Sequence, residues 1–381
     1  MYTQMNGKKK IAVNTRFLLP KLEGIGTYTH QVMQRVVKLM PEIEFHFLFD
    51  RDWDKKYIYT DNIIPHKLPP QARHPLLWYW WFEMSVNNWL RQHKMDLFFS
   101  PDSFLSFKNR TPSLLVMHDI AYEHFPGHLS WLVRTYYQSF FPIYAKKANK
   151  ILAVSEFTKQ DIIKHYKIEA NKIEIAPCAA SEIYQPITDE QKTTIRGKYS
   201  KSKPYFISVG SINPRKNMLR IAQAFDLYKS EQQTDEKLLI VGAKGWKTNK
   251  FYDTIANLKW KDDIIFTGHL TPTDLHKVLA TAEALIFPSL YEGFGIPIIE
   301  AMQSGVPVVT SNISSMPEVA GDVAVLVDPN DTQDIKNAFV EIKNKGAQLI
   351  KKGFLQAEKY SWDKTAEIVA SQIEQLLKVS K

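Results

Sequence analysis

Residues 289–310 read SLYEGFGIPIIEAMQSGVPVVT, directly after the apolar run Ala284-Leu-Ile-Phe287. An unbroken apolar run of this kind is what a parallel strand buried on both faces looks like. Glycines at 293 and 295 make a loop, and Pro297 suits the first turn of a helix over Ile298, Ile299, Ala301 and Met302. Gly305 and Pro307 stop that helix before a second strand over Val306 to Thr310. A strand, glycine loop, short helix and strand predict an open α/β sheet, whose ligand crevice lies at the carboxyl ends of the strands. Glu292 falls in the loop and Glu300 in the first turns of the helix. An ionised carboxylate accepts hydrogen bonds from two neighbouring hydroxyls of a ribose or a hexose, each bond contributing roughly 1.5–3 kcal/mol. Taken alone, Glu300 is equally a complement to a helix dipole and Glu292 a solvated loop acid.

The order Glu292-Gly-Phe-Gly-x-Pro-x-x-Glu300-Ala, with the trailing Ser304-Gly-x-Pro-Val-Val309, resembles the E-x7-E motif of the family-4 retaining glycosyltransferases. The resemblance implies the GT-B fold, two Rossmann-like doubly wound α/β domains facing one another across a cleft. It also implies that Glu300 holds the ribose hydroxyls of a nucleotide-sugar donor, that Glu292 holds the hexose, and that Gly293, Phe294 and Gly295 line the same site.

Length and composition agree with two domains. A chain of 381 residues with 44% hydrophobic residues exceeds one ordinary core. We expect residues 1–185 to form an acceptor-binding domain and 186–362 a nucleotide-sugar-binding domain, with a helix over 363–381 returning to the first. The single cysteine, Cys178, excludes an intramolecular disulfide and favours a reducing compartment. The start MYTQMNGKKKIAVN lacks the apolar core of a signal peptide, and no apolar run approaches the ~18–20 residues that span a bilayer. The expected location is the cytoplasm. The net charge of +9 favours polyanionic partners: nucleotide diphosphates, nucleic acid or an anionic membrane face. No zinc-finger spacing, RNA-recognition signature or arginine-rich tail supports nucleic acid.

Within the first half, Lys8 to Asn14 reads as a strand, followed by a loop carrying Gly24-Ile-Gly26 and a helix from about Thr27. Glycines let backbone approach a ligand, and a helix start attracts an anion. A plain turn fits the same residues. The family resemblance assigns Gly24 and Gly26 to the border of the donor phosphate and acceptor site. His74 to Trp89, HPLLWYWWFEMSVNNW, holds four tryptophans and a tyrosine in sixteen residues. Such density reads as core, or as an amphipathic helix at a membrane interface. His118-Asp119 end the apolar strand Leu114 to Met117. A strand-end histidine is commonly structural. Here the pair matches the family's own, which implies that His118 touches the donor sugar and that Asp119 orients it or the acceptor. Tyr122 to His128 reads as a polar, aromatic acceptor loop. Ser155 reads as the N-cap of a helix over Glu156 to Tyr166. Pro177-Cys-Ala-Ala180 departs from the Pro-Asn-Gly turn common at this site in the family. Tyr184 to Lys203 reads as a polar linker with an opening helix.

The second half restarts with the strand Tyr205 to Val209 and the loop Gly210-Ser-Ile-Asn-Pro-Arg-Lys-Asn217. Arg215 and Lys216 are ordinary surface charge or a diphosphate clamp. The resemblance favours the clamp, with Gly210 beside it. Lys237 to Val241 is the next strand, before the turn Gly242-Ala-Lys-Gly245, and Ile264 to Gly268 the one after it. The resemblance sets Gly268 and Leu270 against the nucleotide base.

These residues predict a glycosyltransferase whose first domain binds a glycan or lipid-linked acceptor and whose second binds a nucleotide-diphosphate sugar. Domain closure would bring His118 and residues 24–26 onto the donor. Arg215 and Lys216 would stabilise charge on the departing diphosphate in place of a metal, since no Asp-x-Asp triad is present. The resemblance implies retention by front-face substitution. GSINPRKN and SSMPEVAGD look most like the bacterial mannosyltransferase-like branch, which favours GDP-mannose over a UDP-hexose. Three alternatives stand: a sugar-nucleotide epimerase, which needs no acceptor; an oxidoreductase, which lacks its G-x-G-x-x-G fingerprint here; and a non-catalytic sugar-nucleotide-binding subunit.

Overall fold

The structure is a computed structural model and describes residues 8–243 and 249–379. Residues 1–7 of the start MYTQMNGKKKIAVN and the turn residues Lys244 and Gly245 lie outside the described residues. The chain divides into two units, Met1–Cys178 with Trp362–Lys381, and Ala179–Ser361.

The first unit is built on seven strands: β1 (Lys10–Asn14), β2 (Glu44–Phe49), β3 (Ile63–Lys67), β4 (Leu97–Ser100), β5 (Ser113–Met117), β6 (Lys150–Ala153) and β7 (Ile173–Ile175). All pairings are parallel, in the order β3-β2-β1-β4-β5-β6-β7. The second unit repeats the plan with β8 (Tyr205–Val209), β9 (Lys237–Val241), β10 (Ile264–Gly268), β11 (Leu285–Phe287), β12 (Val308–Ser311) and β13 (Val325–Val327). Its order is β10-β9-β8-β11-β12-β13, again parallel throughout. Both are doubly wound sheets whose strand order reverses once, between β1 and β4 and between β8 and β11. The reversal splays the flanking connections apart, so the carboxyl ends of those strands open into a crevice.

The apolar runs take the buried positions. Every residue of β5 and β8 is buried, as helices on both faces require. Each unit has its own core, one around Phe98, Leu115, Met117 and Ile151, the other around Phe206, Leu238, Ile240 and Phe339. In the first unit, helix Trp362–Val379 packs on helix Ile25–Leu39. The Trp362 ring meets Tyr28 edge-on at 5.7 Å, and Thr365 Oγ1 donates to the Pro177 carbonyl at 2.6 Å.

Helix Glu156–Tyr166 forms as expected, with Ser155 Oγ accepting from the Thr158 amide at 3.0 Å. Three expectations change. Residues 122–128 are not an open loop: helix Ala121–His124 and a tight turn over Pro126–His128 order them, and Tyr122 is buried. Tyr184 is not exposed linker but is buried in the second unit, where the Gln185 carbonyl accepts a hydrogen bond from His276 Nε2 at 2.8 Å. The aromatic stretch is core and surface together. Trp81, Phe82, Val86 and Trp89 are buried, whereas Leu76 is 69% and Trp80 57% exposed. An apolar segment longer than one helix face covers the core with one stripe and leaves the remainder outside.

Candidate functional site

In the second unit the site forms where the strand order reverses. Arg215 and Lys216 close the short turn Pro214–Lys216 that follows β8, held by Asn213 Oδ1, which accepts from the Lys216 amide at 3.2 Å. Gly210 has φ +141°, and a Cβ there would stand 3.3 Å from Lys216 Cε, so the glycine leaves room for the lysine stem. Glu292 comes from the loop after β11. Its carboxylate accepts from Arg215 Nη1 at 2.9 Å and from Lys216 Nζ at 2.6 Å. Arg215 Nη1 also donates to the Tyr291 carbonyl at 2.6 Å, and the Lys216 ammonium lies 4.9 Å from the centre of the Phe287 ring. Burial of Glu292 acts to raise its pKa, but Lys216 and Arg215 outweigh it and hold the carboxyl at about 2. Two adjacent cations beside a glycine at a strand end are the donor set that suits a diphosphate.

Gly293, Phe294 and Gly295 carry the chain from Glu292 into helix Ile296–Gln303, with Gly295 at its start at φ +98°. The loop is pinned by the two serines that open the run SSMPEVAGD. Ser315 Oγ lies 2.9 Å from the carbonyl oxygens of both Glu292 and Phe294 and shares its one proton between them, and Ser314 Oγ donates to the Glu292 carbonyl at 2.7 Å. Glu300 lies inside the helix, partly buried. Burial pushes its carboxyl up to about 7, and a hydrogen bond from the Tyr184 hydroxyl acts against that rise. Gly268 and Leu270 sit at the end of β10, with β9 between that strand and β8.

The first unit gathers the rest of the set. Gly24 precedes helix Ile25–Leu39 and Gly26 lies in its first turn. A Cβ on Gly26 would come within 2.5 Å of the Phe17 carbonyl oxygen, so only glycine lets the loop after β1 fold onto the helix start. Tyr28, two residues on, packs edge-on against His118 with ring centres 4.9 Å apart. His118 Nε2 lies 2.8 Å from the Pro101 carbonyl oxygen. A carbonyl only accepts, so Nε2 carries the proton and Nδ1 is the acceptor nitrogen. Burial lowers the histidine pKa and keeps the ring neutral. Asp119 Oδ1 accepts from the Ala121 amide at 3.0 Å and starts helix Ala121–His124.

Sequence reasoning did not find the buried pair Arg16–Asp102, whose Nε and Oδ2 are 2.6 Å apart, nor Asn217, whose side-chain amide donates to the carbonyls of Pro288 and Pro329 at 3.0 and 2.7 Å. Nor did it find Tyr184 beside Glu300. Partners so far apart in sequence leave no local pattern; Asn217 alone had a signal, as the end of a glycine-started loop. Among the described residues one cluster has metal-ligand chemistry: His124, Asp161 and His165, with the histidine Nε2 atoms 2.7 and 3.4 Å from the Asp161 oxygens.

Comparison with known proteins fits this geometry. The family model described as Glycosyl transferases group 1 matches residues 191–356, and that described as Glycosyltransferase Family 4 matches residues 22–181. The chain is 29% identical over 283 residues to the O-antigen chain mannosyltransferase B of Escherichia coli, covering 72% of this chain and 73% of the relative. It is 27% identical over 286 residues to the O-antigen chain mannosyltransferase RfbU of Salmonella typhimurium, covering 74% and 75%. Among solved structures, a glycosyltransferase from Rickettsia africae superposes with a TM-score of 0.73 at 18% identity, over 97% of this chain and 99% of that one. Two doubly wound sheets, matched along both units, place the chain in the family-4, group 1 glycosyltransferases with the GT-B fold.

Proposed function

We propose that the protein is a retaining mannosyltransferase that moves mannose from GDP-mannose to a hydroxyl of a glycan or lipid-linked acceptor in cell-surface polysaccharide synthesis. The observation that carries this reading is the cluster of Arg215, Lys216 and Glu292 at the strand reversal of the second unit. The mannose assignment is supported by the names of the relatives, two of which are O-antigen mannosyltransferases.

In the proposed reaction the bond between the anomeric carbon and the β-phosphate oxygen breaks, and a bond from the acceptor oxygen to that carbon forms on the same face. The acceptor proton goes to the leaving phosphate. Negative charge grows on the diphosphate as the bond lengthens, and Arg215 and Lys216 stabilise it where a divalent metal would otherwise act. Glu300 takes the ribose hydroxyls, Glu292 the hexose, and Gly268 and Leu270 the base. His118, fixed with Nδ1 as acceptor, takes a hydroxyl of the sugar. Peripheral contact with an anionic membrane is part of the proposal, supported by the +9 net charge and by exposed Leu76 and Trp80. No helix among the described residues is long and apolar enough to cross a membrane.

The test is transfer from labelled GDP-mannose, UDP-glucose and UDP-galactose, with and without EDTA, to lipid extracts carrying truncated surface polysaccharide, with the product anomer read by NMR. An α-mannoside formed from GDP-mannose in EDTA supports the proposal. A UDP-hexose as sole donor, an inverted product or a metal requirement overturns the corresponding part.

A further inference from the structure

The first unit has its own strand reversal, between β1 and β4, and a cation–carboxylate pair stands there too. Arg16 follows β1, Asp102 follows β4, and their side chains meet at 2.6 Å with both residues buried. A cavity of about 350 Å³ opens beside Arg16. Arg51, after β2, and Arg73, after β3, also line it, and Trp78 and Tyr137 wall it with aromatic rings stacked at 5.7 Å. Three arginines from the segments that follow three adjacent strands thus line one small volume.

Their charge is only partly balanced. Asp102 accepts from Arg16 Nε, and Asp50 accepts from Arg51 Nε and Nη2 at 2.6 and 2.7 Å. A guanidinium carries five donors, so each arginine keeps N–H groups beyond these bonds. The exposed Arg73 side chain makes no hydrogen bond or ion pair among the described residues. Arg16 and Arg51 each have a carboxylate partner and Arg73 has none among the described residues, over a cavity otherwise lined mainly by apolar side chains. The helix that supplies Trp78, Pro75–Trp80, also presents Leu76, Leu77 and Trp80 to solvent. Arginine forks at a strand end select a phosphate, while exposed apolar side chains on the adjoining helix suit a hydrocarbon chain.

We propose that this cavity binds the phosphate group of an amphiphilic acceptor, with Arg73, Arg51 and Arg16 as its donors and the exposed face of helix Pro75–Trp80 taking the start of the acceptor's apolar chain. The proposal rests on the reading of the first unit as the acceptor unit, and names the acceptor's class as a lipid phosphate or diphosphate.

The test is calorimetric titration of the full chain with farnesyl diphosphate and, separately, with inorganic pyrophosphate, in saturating GDP so that Arg215 and Lys216 are occupied. GDP is titrated first, so failure of the donor reading shows as absence of that binding and is distinct from the outcome for this cavity. Farnesyl diphosphate is expected to bind, and Arg73→Ala to weaken it about tenfold while leaving GDP binding unchanged. Leu76→Ser, an exposed position, is expected to weaken farnesyl diphosphate several-fold and pyrophosphate not at all. Equal binding of farnesyl diphosphate by wild type and Arg73→Ala overturns the site, as does absence of binding at millimolar concentration. Pyrophosphate binding as tightly as farnesyl diphosphate overturns the lipid assignment and leaves a free-phosphate site.

Discussion

Lys216 Nζ stands 2.6 Å from a Glu292 oxygen and Arg215 Nη1 2.9 Å from the other, so the two cations proposed for the diphosphate are bridged by a carboxylate from across the strand reversal. The bridge places one carboxylate between two half-buried cations, and removing it would leave like charges facing one another at a partly desolvated site. It also means that an arriving diphosphate competes with Glu292 for the same donors.

Removing that competition should separate binding from chemistry. Glu292→Gln is expected to bind GDP about fivefold more tightly, a change of roughly 1 kcal/mol for one like charge at a partly screened site, and to transfer mannose far more slowly because the sugar loses its carboxylate. Calorimetry and a transfer assay read the two effects. The same bridge makes stability depend on pH. A carboxyl held at about 2, against an ordinary 4.5, contributes stability that is full above 4.5 and is lost as the pH falls through 4.5 toward 2. The acid unfolding midpoint of Glu292→Gln should lack this component.

Glu300 has the opposite shift, up to about 7. A protonated carboxyl accepts poorly from ribose hydroxyls, so nucleotide affinity should rise with pH as the group ionises. Between pH 6 and pH 8 the ionised fraction of a group at 7 grows about tenfold, and GDP affinity should follow it. Glu300→Gln should bind weakly at every pH and show no such slope. Tyr184→Phe removes a hydrogen bond that favours the ionised form, so it should move the midpoint of the slope to higher pH.

His118 is neutral with its proton on Nε2, fixed by the Pro101 carbonyl at 2.8 Å. Nitrogen-15 chemical shifts of the imidazole should show this tautomer at neutral pH, with protonation delayed below the ordinary value of 6.5. Because charging a buried histidine disfavours the folded state, this group takes stability away as the pH falls below 6.5 toward its folded value. His118→Ala should lower the transfer rate more than it weakens GDP binding.

The junction of helix Trp362–Val379 with helix Ile25–Leu39 should carry measurable stability. Trp362 is buried against Tyr28, and replacing it by alanine is expected to cost about 3–5 kcal/mol in the denaturant unfolding of the first unit. Asp363, paired with Arg35 but 74% exposed, should matter little when replaced. Equal effects of the two substitutions would contradict the packing described.

Much of this was readable in the sequence, for physical reasons that differ by element. Parallel strands such as β5 and β8 declare themselves because both faces are buried and every position is apolar or small. Ser155 was found because capping acts over three residues. Glu292, Glu300, Arg215 and Lys216 stand out through their spacing beside glycines, yet nothing local says that Glu292 bridges the two cations, since 76 residues separate it from Lys216. Tyr184 reads as linker in the sequence because the partner of its ring, His276, and that of its hydroxyl, Glu300, both lie far along the chain. The aromatic stretch could not be assigned to core or surface from composition, since Trp81 and Trp80 are neighbours in sequence and only the turn of the helix buries one and exposes the other.

The central claim is that the second unit binds a guanosine diphosphate sugar through Arg215, Lys216 and Glu300. Thermal stabilisation of the metal-free protein by GDP, UDP, ADP and their sugars, compared between wild type and Glu300→Ala, tests it most directly. At a hundred times its dissociation constant a ligand contributes roughly 2.7 kcal/mol, a readily measured rise in melting temperature. The account predicts that GDP and GDP-mannose raise the melting temperature of the wild type and that Glu300→Ala abolishes the rise. A rise that survives in Glu300→Ala, or no rise with any nucleotide, would contradict it.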